Sequence, residues 1–391
     1  MFNLTKGEIE EKGAVHTSAE INQQPVVWKE LTNGFVENND ERKKFVKSIF
    51  NKHDRVRVIF TGAGTSAFVG DTITPVLNQI NADHIEFTSI PTTDIVSNPE
   101  QYLHRDIPTM MVSMARSGNS PESVAAVELG QKRVNYFYQV VITCNEEGKL
   151  VKNTKDDENS ITLLMPAAAN DQSLAMTSSF TSMVMGAYAL FNPHMAMDES
   201  LKNIINNGEH LVNTIGNQVD EVLDFDFNRA IYLGSGSLGQ LGHEASLKML
   251  ELTAGNVVAM YESSLGFRHG PKSILDDKSL VVFFLSQDTY TRKYDLDMLR
   301  ELAASDSSMK LVVLTEKSDD ELEKLADWVI QVNQTEIKID SDVGLGLLYI
   351  IFAQVLAMKK SIQLGITPDN PSPTGAISRV VKGVVIHEYE E

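Results

Sequence analysis

The spacing of apolar positions changes along the chain. Through the first fifty or so residues, Ile21, Val26, Val27, Trp28 and Leu31 recur at helical intervals. A second charged amphipathic stretch runs from Glu41 to Phe50 through Phe45, Val46 and Ile49. Thr17 or Ser18 is the expected N-cap of the first helix, and Pro25 the expected break or restart. After that the period shifts. The apolar runs VRVIFTG, HIEFTSI, PTMMVSMA, FYQVVITC and ITLLMPA have strand length and alternate with helix-length segments such as PESVAAVELGQKR. Continuous apolar strands alternating with helices imply a parallel sheet covered on both faces.

The pattern then begins again with AIYLGSG, NVVAMYE, SLVVFFLS, KLVVLTE and DWVIQVN. Each half opens alike, IFTGAGTSAFVGD in the first and IYLGSGSLGQLGHE in the second: a strand, Gly-x-Gly, then a helix. This reads as an internal duplication of one α/β unit. The expected organisation is a helical segment over 1–52, a first α/β domain over 53–202, a second over 203–365 and a tail over 366–391. Pro368, Pro371 and Pro373 keep that tail from continuing as helix. Each domain is expected to hold a five-stranded parallel sheet flanked by helices, a flavodoxin-like three-layer sandwich.

Composition narrows the function. The 391 residues, 42% hydrophobic and 22% charged, suit two globular domains with real cores. A formal net charge of -19 argues against a nucleic-acid partner, which needs clustered Lys and Arg. It leaves room for a small anionic ligand, because local amides and hydroxyls can oppose the global field. No run is expected to reach the roughly 20 apolar residues that span a bilayer. The opening MFNLTKGEIEEKGAVHT lacks the apolar core and cleavage site of a secretory signal. The single cysteine, Cys144, cannot form an internal disulfide, and thiolate zinc sites want several. A cytoplasmic enzyme is the natural class.

Three loops carry candidate chemistry. Gly234, Gly236 and Gly239 form a G-x-G-x-x-G after a strand, with Glu262 closing the next run where a dinucleotide ribose would sit. The matching loop of the first half has Gly62, Gly64 and then Ala67, with no acidic residue closing HIEFTSI, which weakens that reading. The loop MARSGNSPES is more telling. Ser120 suits an N-cap and Pro121 the first helical position, so unpaired amides and the positive end of a helix face the loop. Ser117 and Ser120 add hydroxyls, Gly118 lets backbone approach an anion, and Arg116 adds charge. Ser66, at a neighbouring strand's carboxyl end, can complete a phosphate cradle. The matching segment of the second half, FFLSQDTYTRK, lacks this spacing. It offers acid/base groups instead: Glu244, Lys248 and Glu251 at i, i+4, i+7 on HEASLKMLELTAG, a pattern that equally describes a solvated ion-paired face. The following loop SSLGFRHGPKS gathers Arg268, His269 and Lys272 among Gly and Pro.

Together, GAGTS, ARSGNSPES, HEASLKMLE and RHGPKS resemble the tandem sugar isomerase (SIS) domain family, from about His16 to about Val385, and within it the tagatose-6-phosphate ketose/aldose isomerase or galactosamine-6-phosphate deaminase type. The isomerase half of glucosamine-6-phosphate synthase has a similar layout. That resemblance implies phosphate-binding hydroxyls at Ser66, Ser117 and Ser120, a proton-transferring Glu251 preceded by Lys248, and a ring-opening His269. It implies a tail cation at Arg379, with Lys382 the other candidate. Arg116 stands where the synthase has Gln, so its role as a phosphate ligand is inferred from its charge. The implied partner is a sugar phosphate, with no nucleic acid, membrane, metal or organic cofactor, in a homodimer or larger assembly. The expected reaction takes galactosamine 6-phosphate to tagatose 6-phosphate and ammonia through an enolamine. A simple aldose–ketose isomerase is the alternative. A non-catalytic sugar-phosphate sensor is a third reading, disfavoured by the absence of a basic recognition helix.

Overall fold

The computed structural model describes residues 1–192, 199–339, 341–375, 377–379 and 383–390, the side chains of 35–40 excepted. Two short helices, α1 (Lys6–Glu11) and α2 (Val15–Asn22), precede α3 (Gln24–Lys52); Ile21 of the first predicted stretch lies on α2, and α3 carries the rest of it and runs on through the second. Pro25 lies in the first turn of α3, where its missing N–H is not needed, so it restarts the helix. Thr17 and Ser18, however, do not cap. The first turn of α2 is capped by Asp369, whose carboxylate accepts from His16 N–H at 3.0 Å and from Thr17 N–H and Oγ1 at 2.7 and 2.8 Å. An acceptor 352 residues away leaves no local trace.

All ten predicted strands form. The first half comprises β1 (Val56–Thr61), α4 (Thr65–Ile80), β2 (Ile85–Ser89), α5 (Thr92–Ser97), α6 (Pro99–Tyr102), β3 (Thr109–Ala115), α7 (Pro121–Arg133), β4 (Phe137–Thr143), α8 (Lys149–Thr154), β5 (Ser160–Leu164) and α9 (Ser178–Phe191). Its sheet is parallel throughout, in the order β2-β1-β3-β4-β5. The second half comprises α10 (Glu199–Leu223), β6 (Arg229–Gly234), α11 (Ser237–Leu252), β7 (Val258–Ser263), β8 (Ser279–Phe284), α12 (Thr291–Ala303), β9 (Lys310–Thr315), α13 (Leu322–Leu325), β10 (Trp328–Gln331) and α14 (Asp342–Gln363). Its order, β10-β9-β8-β6-β7, is the first sheet's order repeated and read from the other edge.

The unbroken apolar runs follow from burial on both faces. Every residue of β3 and β8 is buried. On one face of the first sheet, Ile59, Met111 and Val141 pack with Ala126 and Val127 of α7. On the other, Phe60 and Phe87 meet Phe191 of α9 edge-on at 5.3 and 5.8 Å. The second sheet repeats the scheme. Ile231, Val281 and Leu311 pack with Met298 and Leu299 of α12 on one face, while Phe284 lies between Tyr232 and Tyr349 of α14 on the other.

By contacts the chain divides into two compact units. One comprises Met1–Val26, Gln172–Thr177 and Met197–Thr374; the other comprises Val27–Asp171, Ser178–Ala196 and Gly375–Glu391. The sequence reading expected no run of membrane-spanning length, and α14 corrects it: the helix is long and apolar enough by composition. It is buried along nearly its whole length against α10 and α11, as the central helix of a core.

One turn is built twice. Gly64 precedes α4 with φ 56° and ψ -132°, and Gly236 precedes α11 with φ 55° and ψ -127°. Only glycine populates that region without strain. Gly62 is required for a different reason, since a Cβ there would lie 2.6 Å from the carbonyl carbon of Ser66. A Cβ on Gly64 would meet no atom within 4 Å, so Gly64→Ala isolates the conformational cost. The expected outcome is a loss of about 1–3 kcal/mol, read as a lower denaturation midpoint at unchanged m-value.

Candidate functional site

The Gly-x-Gly turn delivers Ser66 to the first turn of α4, where it is buried beside the carboxyl end of β1. The loop between β3 and α7 lies at the same edge of the sheet, because parallel strands share one carboxyl side. Ser120 takes the N-cap position and Pro121 the first helical position, as predicted. The Ser120 hydroxyl makes no cap bond; it donates instead to Ser123 Oγ at 2.6 Å. Gly118 has φ 64°, which turns the loop back and explains why a glycine stands there.

Two residues that the sequence reading passed over brace this loop. Asn145, just past β4, donates through Nδ2 to the Ser117 carbonyl at 2.8 Å, and Leu150 N–H donates to the Gly118 carbonyl at 3.1 Å. Ser117 Oγ accepts from Asn119 N–H at 3.3 Å. With the carbonyls of 117 and 118 drawn toward β4 and α8, the hydroxyls and amides remain as the loop's polar donors. The position of Asn145, one strand over at the same carboxyl edge, was the signal that would have found it.

Arg116 is 7% exposed and donates through Nη2 to the Arg379 carbonyl at 2.9 Å. The loop and the tail residue are therefore brought together, but through the main chain of Arg379. The Arg379 guanidinium points elsewhere, donating through Nε to the Asp171 carbonyl at 3.0 Å and through Nη2 to Asn170 Oδ1 at 3.1 Å. Asp171 in turn caps α9, accepting from Ser179 N–H at 2.9 Å. Lys382 lies outside the described residues.

The acid/base residues lie on the unit built around the second sheet. The stripe Glu244, Lys248, Glu251 does not face water: the side chains of Glu244 and Lys248 are 0% exposed and that of Glu251 is 22% exposed. Lys248 Nζ donates to Glu251 Oε2 at 2.5 Å and lies 3.4 Å from Glu244 Oε1. Burial lowers the affinity of this amine for its proton, but the two carboxylates outweigh it, so the pKa is raised and the ammonium form is held. An ammonium anchored from below by Glu244 thus fixes the orientation of a partly open carboxylate. That is the arrangement expected of a positioned proton carrier.

The glycine-rich loop after β7 is pinned rather than loose. Arg268 Nε and Lys272 Nζ donate to the two oxygens of Glu301 on α12, each at 2.6 Å. Lys272 and then Arg268 hold the Glu301 carboxyl below its usual range. His269, between them, is exposed. Of the three basic residues that the loop gathers, two anchor it and one, His269, is presented to solvent. Glu262, the candidate ribose ligand, accepts from Ser263 N–H at 2.7 Å. Nothing in the sequence pattern pointed to Glu301, which lies on a helix 33 residues beyond Arg268.

Lys248→Met leaves Glu244 buried without its counter-charge, and a loss of about 3–5 kcal/mol is expected in denaturant titration. Adding Glu244→Gln should recover part of that loss, because it removes the uncompensated charge. The ammonium's contribution is present below the unfolded lysine pKa of about 10.4 and is lost only as pH rises through the raised folded value, so the deficit should be constant across neutral pH.

The SIS domain model matches residues 51–193 and 225–362. D-galactosamine-6-phosphate deaminase AgaS of Escherichia coli is 40% identical over 375 residues, covering 96% of each chain. The protein of that name from Shewanella sp. (strain ANA-3) is 38% identical over 391 residues, covering 99% of this chain and 95% of its own. Among solved structures, tagatose-6-phosphate ketose/aldose isomerase from Escherichia coli superposes with a TM-score of 0.86 at 36% identity, covering 96% of this chain and 97% of its own. With two matched segments, each on a parallel sheet of one repeated strand order, the chain belongs to the SIS domain family.

Proposed function

We propose that this chain converts galactosamine 6-phosphate and water to tagatose 6-phosphate and ammonia. The observation that carries the reading is the Glu251 carboxylate held on the buried Lys248 ammonium, an oriented base on a chain about 40% identical to proteins named galactosamine-6-phosphate deaminases. Ser66, Ser117 and Ser120, with the charge of Arg116, hold the phosphate. Arg379 keeps the tail against Arg116 through its carbonyl.

The roles follow from the chemistry. His269 moves a proton from O1 to the ring oxygen and opens the sugar to its aldehyde. Glu251 removes the proton from C2, the C2–H electron pair becomes the C1–C2 double bond of an enolamine, and the aldehyde oxygen takes a proton from solvent, which is returned when water adds to the ketimine. Glu251 then returns its proton to C1, which leaves a ketimine at C2. Water adds to that carbon, the C–N bond breaks, and ammonia departs from the ketose. Lys248 carries a fixed positive charge next to the base throughout. A cytoplasmic homo-oligomer without nucleic-acid or membrane partners belongs to the same reading. The net charge of -19 supports the absence of a nucleic-acid partner.

A second reading, aldose–ketose isomerisation of a sugar phosphate that carries a hydroxyl at C2, is favoured by the name of the Escherichia coli structure. The same groups would perform it, since only the C2 substituent differs. Ammonia release from galactosamine 6-phosphate, measured beside glucosamine 6-phosphate and N-acetylated controls, decides between the two. Release from none of them, with isomerisation of a neutral aldose phosphate, would establish the isomerase.

Glu251→Gln should reduce kcat by about 100-fold or more while the substrate still raises Tm; a wild-type rate would remove Glu251 as the base. Ser117→Ala with Ser120→Ala should raise KM about tenfold for each lost charge-assisted bond, and an unchanged KM would remove the phosphate loop.

A further inference from the structure

The tail beyond α14 is anchored by side chains at the two ends of α7. Residues 377–379 and 383–390 form no helix or strand, so regular structure does not place them. At the loop end of α7, the Arg379 guanidinium donates to the Asp171 carbonyl at 3.0 Å and to Asn170 Oδ1 at 3.1 Å. The Arg379 carbonyl accepts from Arg116 Nη2 at 2.9 Å. At the far end, the Tyr389 hydroxyl accepts from Arg133 Nη1 at 2.6 Å and donates to Glu100 Oε1 at 2.7 Å. Lys132 Nζ donates to the Tyr389 carbonyl at 3.1 Å.

The acceptor that holds Arg379 is itself fixed. Asp171 is buried, and its carboxylate accepts from Ser178 Oγ at 2.5 Å and from Ser179 N–H at 2.9 Å at the start of α9. Since α9 packs on α4 and β4, the main chain at Asp171 is tied to the body around the first sheet. The Arg379 guanidinium forks onto that fixed main chain. Cys144, one residue past β4, marks how closely these charges gather. Burial and then Asp171 push its thiol pKa up, while Arg116 and Arg379 oppose them. A continuous path thus runs from α9 through the Asp171 side chain and carbonyl to the Arg379 guanidinium, and on through the Arg379 carbonyl to Arg116.

We propose that Arg379 is a positioning residue for the sugar phosphate: its guanidinium anchors the tail, and its main-chain carbonyl sets the plane of Arg116, which meets the phosphate. The proposal rests on the phosphate-loop reading, in which Arg116 supplies the charge of the loop. A guanidinium is planar, so holding one of its N–H groups fixes the direction of the others. A carbonyl does this without cancelling the positive charge, as a carboxylate would. Arginine suits position 379 because two acceptors, the Asp171 carbonyl and Asn170 Oδ1, call for a fork. Lysine would bring the charge as a point on a flexible stem, without the fork. The tail cation implied by the resemblance therefore contributes geometry, and the charge that meets the ligand comes from Arg116.

Galactosamine 6-phosphate is the probe, read as KM with kcat alongside and as Kd by calorimetry. Arg116→Ala and Arg379→Ala should each raise KM and Kd about tenfold, with kcat within about twofold of wild type. The double variant should be no worse than either single one, because both remove the same oriented charge. Arg379→Lys should match Arg379→Ala, since it keeps the charge and loses the fork. Wild-type affinity in Arg379→Lys beside a loss in Arg379→Ala would make Arg379 a ligand by charge and overturn the proposal. Losses that multiply in the double variant would overturn it as well. Unchanged affinity in Arg116→Ala would remove the phosphate-loop reading and this proposal together. Lost affinity there, with wild-type affinity in Arg379→Ala, would remove this proposal alone. If Arg379→Ala does not fold, Arg379→Lys carries the comparison with Arg116→Ala; failure of both to fold would make Arg379 a requirement of the fold and overturn the proposal.

Discussion

A strand that must end and give way to a helix within three residues, without leaving the sheet's edge, can do so only through backbone that approaches closely and turns through a region closed to side chains. Gly62 and Gly64 meet that constraint in the first half, Gly234 and Gly236 in the second, with nearly identical angles. Each turn fixes where the next helix starts and how it is rotated about its axis. Ser66 is where it is because α4 begins at Thr65, and Glu244, Lys248 and Glu251 face inward because α11 begins at Ser237. A register change of one residue would rotate that stripe by about 100°.

On this shared frame the two repeats have diverged in complementary ways. The first keeps serines, a glycine with positive φ and an arginine at its sheet edge, and carries Thr72, Val76 and Gln79 where the second has its charged stripe. The second keeps the stripe and fills its own edge with Asp295 and Asp342. Burial raises the pKa of both carboxyls, and hydroxyl and amide donors oppose it.

The buried charges show where pattern reading stops. A Glu-x-x-x-Lys-x-x-Glu stripe has the same spacing whether it faces water or a core. The competing description of HEASLKMLELTAG as a solvated face was therefore sound until α14 was seen packed against α11. Arg268 and Lys272 were rightly located on a loop with His269, but their pairing with Glu301 makes them anchors. Arg379 was expected as a tail cation, yet it is its carbonyl that meets Arg116, and its guanidinium is bonded to Asn170 and Asp171. In each case the residue and neighbourhood were legible, and the direction of the side chain was not.

By itself the sequence determined the ten strands, their division into two repeated sets and the two glycine turns. These depend on local apolar runs and on backbone angles that few residues can adopt. It also determined which repeat carries hydroxyls and which carries carboxylates, since that is a matter of composition at matched positions. Only the tertiary structure decided what those groups face. The Asp369 cap on α2 and the Asp295 carboxylate at three strand ends join residues with no fixed sequence separation, and the Lys248 stripe, though regularly spaced, is buried on a helix packed against the distant α14. Hydrogen bonds and burial are set by distance in space, and local spacing carries no information about it beyond one helix turn or one strand.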